Sequence, residues 1–140
     1  MNCSVLTSSL TGTAGIAGTG DELANTLTGN ALANTLDGGA GIDSLVGGAG
    51  DDTLEGGVGA DALDGGDGID IVSYANIDAA DGLLQVNLGN PEDATWGNKN
   101  NAAIGDQYTS IENIQGSSSA DILIGNTDNN LLDGGSGDDT

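Results

Sequence analysis

Four aspartates, Asp43, Asp52, Asp61 and Asp70, recur every nine residues along the chain. Each closes a glycine-rich turn. They belong to four consecutive words, GGAGIDSLV, GGAGDDTLE, GGVGADALD and GGDGIDIVS, which fill residues 38 to 73 in the form Gly-Gly-x-Gly-x-Asp-x-aliphatic-x. The chemistry this pattern could do is the capture of a hard cation. Calcium takes about six to eight oxygen ligands in flexible geometry, and a glycine-rich turn can aim several carbonyls at one point while an aspartate supplies charge. A lone aspartate is more often a solvated or turn-capping carboxylate. Four of them in phase with four GGxG turns reverse that expectation.

The elements that must position these residues follow from the same period. Counting backwards in nines from Gly38 finds GNALANTLD at 29 to 37 and GDELANTLT at 20 to 28, which keep the aliphatic position and lose two glycines. The eighth position reads Leu27, Leu36, Leu45, Leu54, Leu63 and Val72, and the sixth reads Asn25, Asn34, Asp43, Asp52, Asp61 and Asp70. In a strand x-Leu-x the central side chain points one way and its mostly polar neighbours, such as Thr26, Thr28, Thr53 and Glu55, point the other. Each word is thus a turn followed by a short strand, and a fixed period of this kind is the signature of an all-β solenoid. Two words make one coil, so residues 20 to 73 give three coils, with Leu27, Leu45 and Leu63 lining one sheet opposite Leu36, Leu54 and Val72.

Alternate words stack, which brings Asp43 to Asp61 and Asp52 to Asp70, and each pair would share one ion. Carbonyls from the turns complete the expected sites: Gly38, Ala40, Gly41, Gly57 and Gly59 for the first, and Gly47, Ala49, Gly50, Gly66 and Gly68 for the second. Asn25 and Asn34 keep an oxygen but lose the charge, so their sites should be weak or empty. A further candidate pairs Asp121 with Asp139, where Ser117 and Ser119 replace most of the glycines. Asn130 reads as a turn stabiliser, and Asp51, Asp64, Asp67 and Glu55 as a solvated face.

The period breaks after Ser73. Residues 74 to 115 hold every aromatic, Tyr74, Trp96 and Tyr108, together with Pro91 and Lys99. Within them LLQVNL at 83 to 88 alternates as a half-buried strand, and GNPEDATWGNKNN at 89 to 101 reads as a loop. This is expected to be one enlarged, divergent coil whose aromatics plug the core, with Trp96 a cap or core residue. The ruler resumes with GSSSADILI at 116 to 124, GNTDNNLLD at 125 to 133 and the cut word GGSGDDT at 134 to 140. Gly134 lies 69 residues after Gly65, which is not a multiple of nine, so a second short stack is expected there. The organisation is therefore 1–19, an N-terminal extension or cap; 20–73, the repeats; 74–115, the divergent coil; and 116–140, the second stack.

Composition narrows the partners. The 140 residues carry 22 acids against one base, a formal charge of −21, which opposes compaction unless a polyvalent cation offsets it. That charge argues against nucleic acid and against adsorption to anionic lipid. No stretch approaches the ~20 apolar residues of a membrane span, and Met1 to Leu10 lacks the basic and apolar regions of a signal peptide. Any export address would lie elsewhere or have been trimmed. Cys3 is the one cysteine, so an internal disulfide is excluded.

These repeats resemble the RTX, or haemolysin-type, calcium-binding family, over residues 20 to 73 and again over 106 to 140. VSYANI at 72 to 77, VNL at 86 to 88 and SIENIQGS at 110 to 117 are similar to the divergent coil of such proteins. The resemblance implies a parallel β-roll, secretion from a bacterial cell, and folding triggered by calcium in the extracellular space, at the cell surface or in a matrix. No toxin, protease, lipase or epimerase domain accompanies the repeats.

The expected function is a non-catalytic calcium-binding structural module, with head-to-tail stacking into filaments as its sharper form: the cut word at 134 to 140 would be completed by Ser4 to Leu10 of a neighbour. The alternative is a β-roll fragment of a larger secreted protein, such as an adhesin or an enzyme-associated or carbohydrate-binding module. An enzyme is disfavoured because the chain has no His, no Arg, one Lys and one Cys, and no pair of carboxylates is marked as a dyad. Ice binding is disfavoured by the irregular row Thr28, Asp37, Val46, Glu55, Asp64, Ser73.

Overall fold

The computed structural model describes residues 7–9, 12–77, 82–90 and 103–140. Trp96, Pro91, Lys99, Cys3 and most of the segment Ser4 to Leu10 lie outside the described residues. The strands among them are β1 (Thr7–Ser9), β2 (Ala17–Thr19), β3 (Thr26–Thr28), β4 (Thr35–Asp37), β5 (Ser44–Ala49), β6 (Thr53–Glu55), β7 (Ala62–Asp67), β8 (Ile71–Ser73), β9 (Leu84–Asn87), β10 (Gln107–Thr109), β11 (Asn113–Gln115), β12 (Asp121–Ile124) and β13 (Leu132–Asp133). They form a five-stranded sheet in the order β1-β3-β5-β7-β10, a six-stranded sheet β13-β11-β8-β6-β4-β2 and a pair β12-β9. Every pairing is parallel. Successive strands up to β8 alternate between the two large sheets, so the chain winds as a parallel β-roll with two words per coil.

Register follows the sequence ruler. Leu27 pairs with Leu45 and Leu45 with Leu63 in one sheet, and Leu36 with Leu54 and Leu54 with Val72 in the other. All six are at most 1 % exposed and form one core cluster with Tyr74, Leu84, Val86 and Ile114. Each word contributes one such side chain, worth about 1.5–3 kcal/mol on full burial. A single word therefore cannot hold itself; stacking supplies the core and the ladder together. Ladder bonds such as Ser44 N–H to Asn25 O (3.0 Å) and Gly38 N–H to Glu55 O (2.8 Å) bind each coil to its neighbours.

The roll begins earlier than the ruler indicated. β2 stacks on β4 with Gly18 opposite Leu36, and β1 stacks on β3 with Thr7 opposite Thr26. Residues 17–19 are thus one more rung, hidden in the sequence because Gly18 occupies the slot that Leu fills elsewhere.

The expected second stack is continuous with the first on one wall, where Val72 pairs with Ile114 and Ile114 with Leu132. Val72 and Ile114 are 42 residues apart in sequence where 18 separate Ile114 from Leu132, so the rungs meet although the ruler loses phase. In the five-stranded sheet Tyr108 takes the place after Leu63, while β12 pairs with β9 through Ile122 and Gln85 in a sheet of their own. β9 corrects a second expectation: its residues are buried on both faces, not alternately. Asn87 can be buried there because its Oδ1 accepts from the N–H groups of Gly89 and Asn90, each at 3.0 Å. Of the aromatics expected to plug the core, Tyr74 is fully buried and Tyr108 packs beside the core cluster.

Candidate metal centre

The sixth-position side chains form a ladder along each wall. On one, Asn25 N–H donates to Asp43 Oδ1 (2.8 Å), Asp43 N–H to Asp61 Oδ1 (2.8 Å) and Asp61 N–H to Asp106 Oδ1 (2.9 Å). On the other, Asn34 N–H donates to Asp52 Oδ1 (2.7 Å), Asp52 N–H to Asp70 Oδ1 (2.8 Å) and Asp70 N–H to Glu112 Oε2 (2.8 Å). Each carboxylate thus caps a buried N–H of the preceding coil with a charge-assisted bond.

The second oxygen is treated differently. Oδ2 of Asp43, Asp52, Asp61 and Asp70 is buried without a hydrogen-bond partner. An unpaired buried carboxylate oxygen is costly, and a cation among oxygen ligands removes the cost. The first glycine of each word makes room for this oxygen. A side-chain carbon built on Gly38, Gly47, Gly56 or Gly65 would lie 2.6, 2.2, 2.5 or 2.4 Å from the Oδ2 of its own word. The same crowding, against Asp121, Asn130 and Asp139, holds at Gly116, Gly125 and Gly134. It explains why the first glycine persists in words that have lost the others.

The remaining glycines separate two kinds of turn. In the complete words, positions two and four carry positive φ: Gly39 and Gly41, Gly48 and Gly50, Gly57 and Gly59, Gly66 and Gly68. Gly135 and Gly137 do the same in the word at 134–140; in the words at 20, 29, 116 and 125 a side chain at position two accepts from the N–H at position four, Asp21 from Leu23 (3.0 Å), Asn30 from Leu32 (2.9 Å), Ser117 from Ser119 (3.0 Å) and Asn126 from Asp128 (2.9 Å). The predicted carbonyl donors therefore sit in turns of one type, stacked in register: Ala40 bridges Val58, Ala49 pairs with Asp67 and Gly48 with Gly66. Gly39 O and Val58 O already accept from Val58 N–H (2.9 Å) and Gly41 N–H (2.8 Å), each leaving one lone pair.

Burial raises the pKa of Asp61 and Asp70 to about 6, each opposed by the N–H bond it accepts and reinforced by the carboxylate stacked below it. Asp43 is raised by burial as well. No group of three or more His, Cys, Asp or Glu side chains is gathered among the described residues. An ion between two turns would draw on two carboxylates and otherwise on carbonyls. That all-oxygen set suits calcium, and offers none of the imidazole or thiolate that zinc or copper prefers.

Asp121 stacks with Asp139 as expected, its N–H donating to Asp139 Oδ1 at 3.0 Å. Its own oxygens are both satisfied by Ser117, whose N–H reaches Oδ2 (2.6 Å) and whose hydroxyl reaches Oδ1 (2.8 Å), and Asp139 is exposed. Asn130 stabilises its turn as read from the sequence, accepting from Asn126 N–H (2.9 Å) and donating to Glu112 O (2.6 Å). Glu55 departs from a solvated face: it is half-buried, accepts from Asn76 Nδ2 (2.8 Å) and is raised in pKa by burial.

The ladder positions of Asp106 and Glu112 were missed in the sequence. Asp106-Gln107-Tyr108 repeats the spacing of Asp61-Ala62-Leu63, and Glu112-Asn113-Ile114 that of Asp70-Ile71-Val72, so the acid two residues before an apolar rung was the available signal. Asp106 ends its ladder with a protein donor, because Tyr74 Oη donates to its Oδ2 at 2.6 Å. Tyr108 Oη lies 2.6 Å from the same hydroxyl.

Fold and site together define a parallel β-roll whose stacked glycine turns present carboxylate and carbonyl oxygen. The model of the RTX calcium-binding nonapeptide repeat matches residues 19–41, 37–72 and 109–140, in four copies, and the chain belongs to that family. Only these repeats were found, and they are typical of secreted bacterial proteins. A comparison with curated proteins returned no match.

Proposed function

We propose that this chain is a structural module that calcium folds and stiffens outside the cell. The observation that supports it is the four buried, unpartnered Oδ2 atoms, of Asp43 and Asp61 on one wall and of Asp52 and Asp70 on the other, set in register by complete GGxG turns. One ion would lie between the turns ending in Asp43 and Asp61, held by both carboxylates and by carbonyls of Gly38, Ala40, Gly41, Gly57 and Gly59. A second would lie between those ending in Asp52 and Asp70, with Gly47, Ala49, Gly50, Gly66 and Gly68. Asp121, already satisfied by Ser117, and Asp139 form a weaker third candidate.

Linkage turns occupancy into folding. A ligand that binds the folded form alone stabilises it by RT ln(1 + [L]/Kd), and extracellular calcium modules work at ~10⁻⁴ to 10⁻³ M. At a formal charge of −21 the cation-free chain repels itself, so the same ions supply ligation and charge compensation. The test is a calcium titration followed by far-ultraviolet circular dichroism and native mass spectrometry. Strand signal should rise with bound calcium and vanish in EDTA; a spectrum indifferent to EDTA would refute the reading. Electron microscopy of the same series tests the head-to-tail form, for which calcium-dependent filaments are the required result.

A further inference from the structure

The two words at 20–28 and 29–37, which lack full GGxG turns, carry something in place of the ion. Asn34 Nδ2 donates to Leu32 O, to Asn30 O (3.3 Å), to Gly47 O (3.4 Å) and to Asp52 Oδ1 (2.9 Å). Asn25 Nδ2 likewise donates to Leu23 O and is 3.2 Å from Asp21 Oδ1 and 3.5 Å from Asp43 Oδ1. Both amide nitrogens sit among acceptors only: carbonyls and, for Asn25, the Asp21 carboxylate of their own turn, and the sixth-position carboxylate of the word stacked above, joined for Asn34 by Gly47 O. Such surroundings fix the orientation of the amide, since only its NH₂ end can meet them. They are also the kinds of oxygen, turn carbonyl plus sixth-position carboxylate, that the complete words offer a cation.

We infer that the Asn34 and Asn25 side chains act as built-in cations, filling the spaces between words 29–37 and 47–55 and between words 20–28 and 38–46. The inference rests on the calcium reading of the complete turns and adds a boundary to it. The ion row begins only where Asp faces Asp, between Asp43 and Asp61 on one wall and Asp52 and Asp70 on the other. Asn34 is the fuller case, because its Oδ1 is engaged as well, accepting from Asn30 N–H at 3.4 Å. The loss of glycine in these words follows: with a side-chain NH₂ as the central donor, the turn needs no positive φ, and Asp21 and Asn30 close it through their own side chains. An amide donor also carries no charge, so these rungs gain their bonds without depending on the calcium level.

The experiment compares wild type, N34D, N25D and N34A by calcium count in native mass spectrometry and by hydrogen exchange of strands 26–28 and 35–37. Removing the nitrogen and leaving two carboxylates face to face should make N34D and N25D each bind one calcium more than wild type, with exchange at these strands newly sensitive to calcium. N34A should keep the wild-type count while its strand 35–37 exchanges at least tenfold faster. An N34A count one ion lower would make Asn34 a ligand and overturn the inference, as would N34D and N25D with unchanged counts and unchanged exchange. A wild type with no bound calcium would instead remove the reading on which it rests.

Discussion

The N–H of Asp43 donates to Oδ1 of Asp61, eighteen residues further along the chain and one coil higher, at 2.8 Å. The same carboxylate keeps its Oδ2 buried and unpaired. One side chain therefore joins two coils through its first oxygen and offers the second to a cation, which couples rung stacking to ion binding.

Neutralising that carboxylate separates the two duties. In D61N the amide oxygen can still accept from Asp43 N–H, but the charge is gone. Native mass spectrometry should count one calcium fewer than wild type, and the calcium midpoint of folding should rise at least threefold. D106N, outside the proposed sites, should leave the count unchanged.

Gly47 tests the close approach. Its substitution by alanine would place a carbon 2.2 Å from Asp52 Oδ2, a contact that forces the carboxylate or the turn to move. G47A should weaken calcium-driven folding by about 1–3 kcal/mol, the usual cost of overpacking. A49G, two residues on, should stay within about 1 kcal/mol of wild type. Equal midpoints for wild type and G47A would show that Asp52 does not need this space.

Acid should act in opposite directions with and without calcium. Burial raises Asp61 and Asp70 to about 6 and Asp106 to about 7, above their ordinary 3.8. For a carboxyl raised in the folded state, folding takes up protons, so stability grows as pH falls through the folded value and is fully present below the unfolded one. In EDTA, strand signal should therefore increase between about pH 7 and pH 4. In saturating calcium the ligands must be deprotonated, so the calcium midpoint should rise over the same interval. Circular dichroism at fixed calcium and in EDTA reads both slopes.

Tyr74 offers a test of the far end of the ladder. Y74F removes the donor to Asp106 Oδ2 and the partner of Tyr108 Oη, leaving buried polar groups unpaired. Stability in calcium should fall by about 1–3 kcal/mol, with the calcium count unchanged. A variant as stable as wild type would place water in the role given to the hydroxyl.

The winding was legible in the sequence because Leu and Asp each sit on a strict period of nine, and the structure keeps that register from Leu27 to Val72. Where side chains changed role without changing spacing, the sequence was silent. Gly18 in an aliphatic slot hid β2, and Asp121 looks like Asp61 until Ser117 is seen to satisfy both of its oxygens. Asp106 and Glu112 kept their distance from an apolar rung but lost the glycines that draw attention to it. The division of the second region between the six-stranded sheet, through β13, and the separate pair β12-β9 depends on where β9 and β10 fall in the insertion, which no local spacing encodes.

Between Val72 and Ile114 the chain runs for 42 residues where 18 separate Ile114 from Leu132, yet the two are neighbours in one sheet. The height of the roll is thus set by the number of rungs and not by the length of chain threaded through them. A solenoid with this property can lengthen one coil sideways while its axis stays in step, so new surface can be acquired at a single level without renegotiating the levels above and below.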